Sequence, residues 1–221
     1  FRGRRRPWTH YTLGRLPRWV QMVHLIPGVG PAVANAAGRV RPLEKLLLRV
    51  AGVDPRRSAP RFAHKTFRRR WRAASHPAPV GRPQVLLWAD TFTDGFAPGI
   101  AQAAADVLDD AGFAVEVPSR TVCCGLTWIS TGQLDTARNR LQQLVDELHP
   151  YAAESIPIVG LEPSCTAVLR SDLTDLLDDP RAEQVAAAVV TLAELLERTG
   201  WSPPELWSDT KPVGNRSGAA R

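Results

Sequence analysis

The residues of this chain best suited to chemistry are its three cysteines, Cys123, Cys124 and Cys165. Two of them are adjacent and precede Gly125, which allows the backbone to turn sharply beside the thiols. Thiolates bind metal ions and iron–sulfur clusters, and a pair of thiols can act in redox chemistry. Free cysteines also serve as small buried apolar side chains. The vicinal pair beside a glycine favours a metal, iron–sulfur or redox site over the purely structural role.

Short apolar runs alternate with helical patterns around these cysteines. Strands are predicted at residues 84–89, 113–117 and 156–161, where the apolar runs are short. Helices are predicted at residues 98–111, 134–148, 165–177 and 181–198, where apolar residues recur at helical spacing. Strands separated by helices indicate parallel βαβ units. The sequence therefore predicts an α/β fold with a small, mainly parallel sheet.

The candidate site residues all follow predicted strands. Thr91 and Asp94 follow the first strand, Cys123 and Cys124 follow the second, and Cys165 follows the third. In open parallel sheets, ligand sites lie at the carboxyl ends of the strands. We therefore expect the three cysteines to converge. Cys165 also begins a predicted helix, whose positive end favours a thiolate.

The charge divides the chain into two parts of opposite sign. Residues 1–83 hold 19 of the 28 Lys and Arg residues but only 2 of the 22 Asp and Glu residues, and the remainder is acidic. A Pro-rich stretch, Pro77 to Pro83, marks the boundary. We predict a basic helical arm over 1–83, a cysteine-rich domain over 84–200 and a disordered tail over 201–221.

The basic arm has several interpretations. Arginines interleaved with aromatic residues can bind nucleic acid, lie on an anionic membrane or dock on an acidic partner, including the acidic part of the same chain. Such charge runs are also typical of a solvated surface. The arm contains no nucleic-acid-binding motif, so nucleic acid is not the expected partner. No apolar run is long enough to span a membrane, and three cysteines exclude a disulfide scaffold.

The two cysteine loops resemble those of a known family. Val122-Cys123-Cys124-Gly125, and later Val159-Gly-Leu-Glu-Pro-Ser-Cys165, resemble the CCG cysteine-rich domain found in heterodisulfide reductase and in glycolate and lactate oxidation proteins. The segment Leu87-Trp-Ala-Asp-Thr-Phe92 and the Arg-rich start are most similar to fused FAD-linked oxidases.

This resemblance implies an iron–sulfur-binding electron-transfer module of an FAD-linked oxidoreductase that acts on 2-hydroxy acids. The chain would comprise the linker and one CCG repeat. The implied cofactor is an iron–sulfur cluster, of the 4Fe-4S type, held by Cys123, Cys124 and Cys165. FAD would belong to a partner, and a second CCG repeat or a ferredoxin-like protein would take part. We expect a cytoplasmic location, with contact at the inner membrane face through the basic arm.

The chain departs from the family pattern at two ligand positions. Val168 lies three residues after Cys165, where the family motif often has a further cysteine. The upstream cysteine of the family motif is replaced by Thr91, with 31 residues between it and Cys123. A cubane cluster usually takes four thiolates, and this chain supplies three. The missing ligand could come from a second repeat, another protein, water, Asp90 or Asp94, with Thr91 itself a further candidate. The alternative is a non-catalytic remnant or interaction subunit that keeps the CCG fold without a cluster.

Overall fold

A four-stranded parallel sheet forms the centre of the structure. The computed structural model describes residues 5–74, 76, 81–118, 120 and 122–203. The strands are β1 (Gln84–Trp88), β2 (Ala114–Glu116), β3 (Ile158–Gly160) and β4 (Val189–Thr191). They lie in the order β2-β1-β3-β4, and each neighbouring pair is parallel. The predicted α/β fold with a mainly parallel sheet is confirmed.

Helices precede the sheet and connect its strands. The N-terminal helices are α1 (Trp8–Thr12), α2 (Leu16–Val23), α3 (Val29–Ala37), α4 (Arg41–Ala51) and α5 (Phe67–Ala73). Those of the α/β part are α6 (Thr91–Gly95), α7 (Pro98–Asp110), α8 (Leu126–Ser130), α9 (Leu134–Ala153), α10 (Pro163–Arg170), α11 (Asp172–Leu176), α12 (Pro180–Ala188) and α13 (Leu192–Thr199). Within the described residues, no helix is long and apolar enough to cross a lipid bilayer.

Each face of the sheet has its own core. Leu86 and Trp88 of β1 pack with α9, α10 and α12 on one face. Val85 and Leu87 pack with α5, α7 and α13 on the other. Successive side chains of a strand point to opposite faces, so β1 must be apolar throughout its buried length. This explains why its sequence is a continuous apolar run and not an alternating one.

The prediction of one helix over 181–198 is wrong. The segment contains α12, the edge strand β4 and α13. Val189 and Val190 are β-branched residues that pair with β3 and are buried on opposite faces of the sheet. Thr191 then forms a capping box with Glu194 and starts α13. Pairing with β3 therefore overrides the helical periodicity that the sequence shows.

The predicted helix over 165–177 is divided in two. α10 ends at Arg170 and α11 begins at Asp172. Between them Ser171 has φ −128° and ψ −70°, outside regular helical geometry.

The basic N-terminal helices pack directly on the α/β part. Phe67 of α5 is fully buried in the core that also contains Val85 and Leu87. Arg68 is buried as well and pairs with Asp94 of α6, whose carboxylate lies 3.7 Å from its guanidinium. Part of the basic arm thus docks on the acidic part of the same chain. The predicted boundary at residue 83 stays a prediction, and most of the predicted tail, residues 204–221, lies outside the described residues.

Candidate functional site

The Cys123-Cys124-Gly125 loop lies between β2 and α8. Gly125 adopts φ +83°, a left-handed conformation that only glycine takes without strain, and it caps the start of α8. A Cβ at this position would meet only ordinary contacts, so conformation and not space requires the glycine. Both cysteines are buried, and the Gly125 amide donates toward Cys123 Sγ at 3.5 Å.

The loop after β3 brings the third cysteine to the same place. Cys165 lies in the first turn of α10, where its amide donates to the carboxylate of Glu162 at 2.6 Å. Its sulfur lies 3.1 Å from the sulfur of Cys124, although the two residues are 41 positions apart. All three cysteines are free thiols. The structure thus brings Cys124 and Cys165 into contact at the carboxyl edge of the sheet, with Cys123 beside them.

The three thiols form a chain, in which the Cys124 thiol donates to the Cys165 sulfur and the Cys123 thiol interacts with Cys124. Donation to Cys124, together with burial, raises the pKa of the Cys123 thiol well above its usual value. The pKa of Cys124 is also raised: its bond from Cys123 lowers it, but its bond to Cys165 and burial outweigh that effect. Metal ligation requires the deprotonated form, so a metal that binds here must displace these protons.

Cys165 does not have the lowered pKa that its position at a helix start predicts. The bond from Cys124 lowers the pKa of this thiol, but burial and the negative charges of Asp90 and Glu162 outweigh it and raise the pKa overall. Glu162 is the N-cap of α10, so a carboxylate already occupies the positive end of that helix.

Comparison with known proteins places this loop pair in a family. Residues 89–170 match the family model of the CCG cysteine-rich domain. The chain contains a CCG domain. It spans α6 to α10, so all three cysteines and Thr91 fall inside it. No solved structure gives a significant match.

The relatives of this CCG domain include subunits of a dehydrogenase and of a reductase. A subunit of anaerobic glycerol-3-phosphate dehydrogenase of Escherichia coli is 26% identical over 147 residues, which cover 66% of this chain and 37% of that protein. Lactate utilization protein A of Shouchella clausii is 26% identical over 118 residues, or 52% of this chain and 48% of that protein. A subunit of the CoM/CoB fumarate reductase of Methanothermobacter marburgensis is 35% identical over 75 residues, 34% and 14% of the two chains. The chain spans less than half the length of these curated relatives.

The CCG domain offers three thiols as donors for an iron–sulfur cluster. Iron–sulfur clusters are usually held by cysteine thiolates, and the three cysteines lie close together in one buried region. The described residues contain no group of three His, Cys, Asp or Glu side chains already arranged to hold a metal ion. The thiols therefore fit a cluster by donor type and proximity, while a fourth donor and the final ligand geometry are not preformed in the described part of the chain.

Thr91 lies beside the cysteines, at the first position of α6. Its hydroxyl interacts with Cys123 and opposes the raised pKa of that thiol. Nevertheless Thr91 Oγ1 is buried and makes no hydrogen bond of ordinary geometry. A buried hydroxyl without a partner is costly, so the position of this side chain needs a further explanation.

Asp94 and Asp90 are engaged elsewhere. Asp94 accepts from the Arg68 amide at 2.9 Å and faces its guanidinium. Asp90 caps α6 by accepting from the amides of Phe92 and Thr93, and also from the Thr93 hydroxyl. Among the contacts of the described residues, none joins Asp94 to a cysteine. Asp94 as an additional ligand stays a prediction.

Arg68 is a residue of this region that the sequence did not single out. Its guanidinium donates to the carbonyls of Ala89 and Arg120, which lie next to β1 and to the cysteine loop. It thereby ties α5 to both loops. No sequence signal points to this role, because Arg68 lies in a run of arginines that is typical of a solvated surface.

Two threonines of α6 allow a direct test of the unpartnered hydroxyl. In phosphate-free buffer, we expect Thr91→Val to raise the free energy of unfolding by about 1 kcal/mol, because it removes a buried donor that has no partner. Thr93→Val is the matched control, since the buried Thr93 hydroxyl donates to Asp90. It should lower the free energy of unfolding by about 1–3 kcal/mol. Urea unfolding measures both, and a loss in Thr91→Val equal to that in Thr93→Val would contradict the expectation.

Proposed function

We propose that this chain is an iron–sulfur-binding electron-transfer module of an oxidoreductase. Cys123, Cys124 and Cys165 are its proposed cluster ligands. The observation that carries the proposal is the 3.1 Å distance between the sulfurs of Cys124 and Cys165, which belong to two separate loops at one edge of the sheet. Cysteines with a purely structural role would not have to lie in contact on two separate loops beside a third thiol.

The residues around the thiols suit such a cofactor. When bound, a cluster supplies one-electron oxidation and reduction. Burial of the three cysteines keeps water away from it. The Gly125 amide, which points toward Cys123 Sγ, stabilises negative charge on that sulfur. Ligation would also break the contacts between the thiols, because Cys123 and Cys124 would lose the protons that they direct at their neighbours.

The expected partners follow from the need for a fourth cluster ligand. This chain contributes three thiolates, whereas a cubane 4Fe-4S cluster usually takes four. A second CCG repeat, a ferredoxin-like protein or water is proposed to complete the set, with Thr91 as the adjacent candidate of this chain. Two of the relatives are named as subunits, which supports a partner that carries the catalytic site. We propose a flavin-containing oxidase, with FAD on the partner and 2-hydroxy acids as its substrates.

The N-terminal helices supply the proposed contact surface. Most of the exposed large apolar side chains of the described residues lie between Trp8 and Val50, among them Trp19, Leu25 and Ile26. The same stretch of chain is rich in arginines, and this combination supports contact with an anionic membrane surface. We place the protein in the cytoplasm, at the inner face of the membrane, because reducing compartments keep thiols free.

A cluster-free interaction subunit is the second candidate function. Two observations favour it: Thr91 replaces the family's first cysteine, and no three-ligand arrangement is preformed in the described residues. In this case the CCG domain would be a structural scaffold and the basic arm would bind the partner.

Anaerobic reconstitution with iron and sulfide distinguishes the two functions. We expect the full chain to become brown, to bind iron and sulfide, and to show visible charge-transfer absorption that bleaches on reduction with dithionite. Iron and sulfide analysis with absorption spectroscopy checks the result. A colourless protein without iron, in a chain whose circular dichroism shows it to be folded, would reject cluster binding and support the cluster-free subunit.

A further inference from the structure

A small cavity lies between α2, α5 and α6, next to the cysteine site. Its volume is about 280 Å³, and its polar lining includes Arg68, Arg69, Arg72, Thr91 and Asp94. Apolar residues of the α2 side, Val20 and Leu25, line the other side. The three cysteines do not line it, whereas Thr91 and Asp94, the candidates for an additional ligand, do.

Three hydrogen-bond donors at this cavity make no hydrogen bond of ordinary geometry. They are Arg68 Nε, Arg69 Nη1 and Thr91 Oγ1, and each atom is buried. Arg68 and Thr91 are each only 3% exposed. Buried polar groups in folded proteins are almost always hydrogen-bonded, so three such donors on one cavity indicate an acceptor that enters it.

The cavity carries a net positive charge, which suits an acceptor that is an anion. Three arginines face a single carboxylate, that of Asp94. Arg68 Nε, one of the three donors, lies 3.7 Å from Asp94 Oδ2, which is ion-pair distance but beyond hydrogen-bond distance. Burial lowers the pKa of Arg68, and the nearby positive charge of Arg72 adds to this effect. An anion in the cavity would offset both contributions.

The other buried polar side chains of the lining are already engaged. Both ring nitrogens of His24 lie within 3.0 Å of backbone carbonyls, those of Val20 and Ala63. Thr66 Oγ1 accepts from the Arg69 amide as the N-cap of α5. Asp94 Oδ1 accepts from the Arg68 amide. The buried donors that lack a hydrogen bond therefore come from three different side chains, Arg68, Arg69 and Thr91.

We propose that this cavity binds a phosphate group. A carboxylate is best held by the paired N–H groups of one guanidinium, but two Arg68 nitrogens are already bonded to the carbonyls of Arg120 and Ala89. Single donors from Arg68, Arg69 and Thr91 suit the several oxygens of a tetrahedral anion instead. The volume admits inorganic phosphate or the phosphate of a small monoester.

Calorimetric titration of the metal-free full chain with inorganic phosphate, at constant ionic strength, tests the proposal. We expect one binding site per chain. At a phosphate concentration ten times Kd, Tm should rise by about 3–6 °C above its value in chloride. Arg69→Gln should weaken phosphate binding about tenfold, because it removes a charged donor. Thr91→Val should also weaken it, and serves as the second variant should Arg69→Gln fail to fold.

Arg70→Gln is the matched control. Arg70 is an exposed arginine of the same helix and does not line the cavity, so its loss should leave Kd within about twofold of the wild type. Equal weakening by Arg70→Gln and Arg69→Gln would overturn the proposal, because it would show general attraction to a basic helix. A Tm in chloride as high as the Tm in phosphate, or acetate binding as tight as phosphate binding, would overturn it too.

Glycerol phosphate identifies the source of the group. Tighter binding of glycerol phosphate than of inorganic phosphate would support the cavity as a monoester site, whereas the reverse order would support it as a site for free phosphate. Because the protein is kept metal-free, these results do not depend on whether the cysteines bind a cluster.

Discussion

Replacement of Cys124 by serine should abolish iron binding by the reconstituted chain. Cys124 is the middle member of the thiol chain, next to Cys123 in sequence and 3.1 Å from the sulfur of Cys165. A hydroxyl is a far poorer iron ligand than a thiolate, so only two thiolate donors, those of Cys123 and Cys165, would remain. Iron and sulfide analysis of Cys124→Ser beside the wild type measures the loss.

Val122→Ala is the control for this loss. Val122 precedes the cysteines in the same loop and is buried, but its side chain cannot bind a metal. The variant should keep the iron content of the wild type while losing stability, since it removes buried apolar volume. Equal, nonzero iron in wild type and Cys124→Ser would contradict the ligand assignment. If both contain no iron, and Cys124→Ser costs only about 1–3 kcal/mol of stability, the cysteines are core residues.

Replacement of Phe67 by alanine should lower the free energy of unfolding by about 3–5 kcal/mol, the usual loss for a large aromatic residue in a core. Phe67 is fully buried between α5 and the sheet, in the core that contains Val85 and Leu87, and its ring lies 5.6 Å from that of Trp71. The residue lies in the basic arm, so a large effect would show that α5 is an integral part of the α/β fold. Urea unfolding followed by circular dichroism measures it.

Arg70→Ala provides the comparison on the same helix. Arg70 is exposed, so its truncation should change stability by less than about 0.5 kcal/mol. A loss below about 1 kcal/mol in Phe67→Ala would mean that α5 contributes little to the fold. The predicted boundary at residue 83 would then separate two independent parts.

The convergence of the cysteine loops depends on chain direction and could be predicted from the sequence. Short apolar runs separated by helices require parallel strands, and parallel strands place their following loops at one edge. Cys124 and Cys165 were therefore expected at the same edge of the sheet, and the folded structure brings their sulfurs to 3.1 Å although β1 lies between β2 and β3. The sharp turn at Gly125 was equally predictable, because only glycine adopts the left-handed conformation freely.

The remaining features depend on partners that are distant along the chain, so only the folded molecule fixes them. Val189-Val190-Thr191 is a strand only because β3 offers an edge on which it can pair, although the Thr191 to Glu194 capping box was a local sign that a new helix starts there. The raised pKa of Cys165 comes from burial and from the negative charges of Asp90 and Glu162, which outweigh the positive end of its helix. Arg68 is buried because Phe67 beside it enters the core, which no property of an arginine run indicates. The unpartnered donors of the phosphate cavity exist only where α5 and α6 meet, so they have no signature in the sequence.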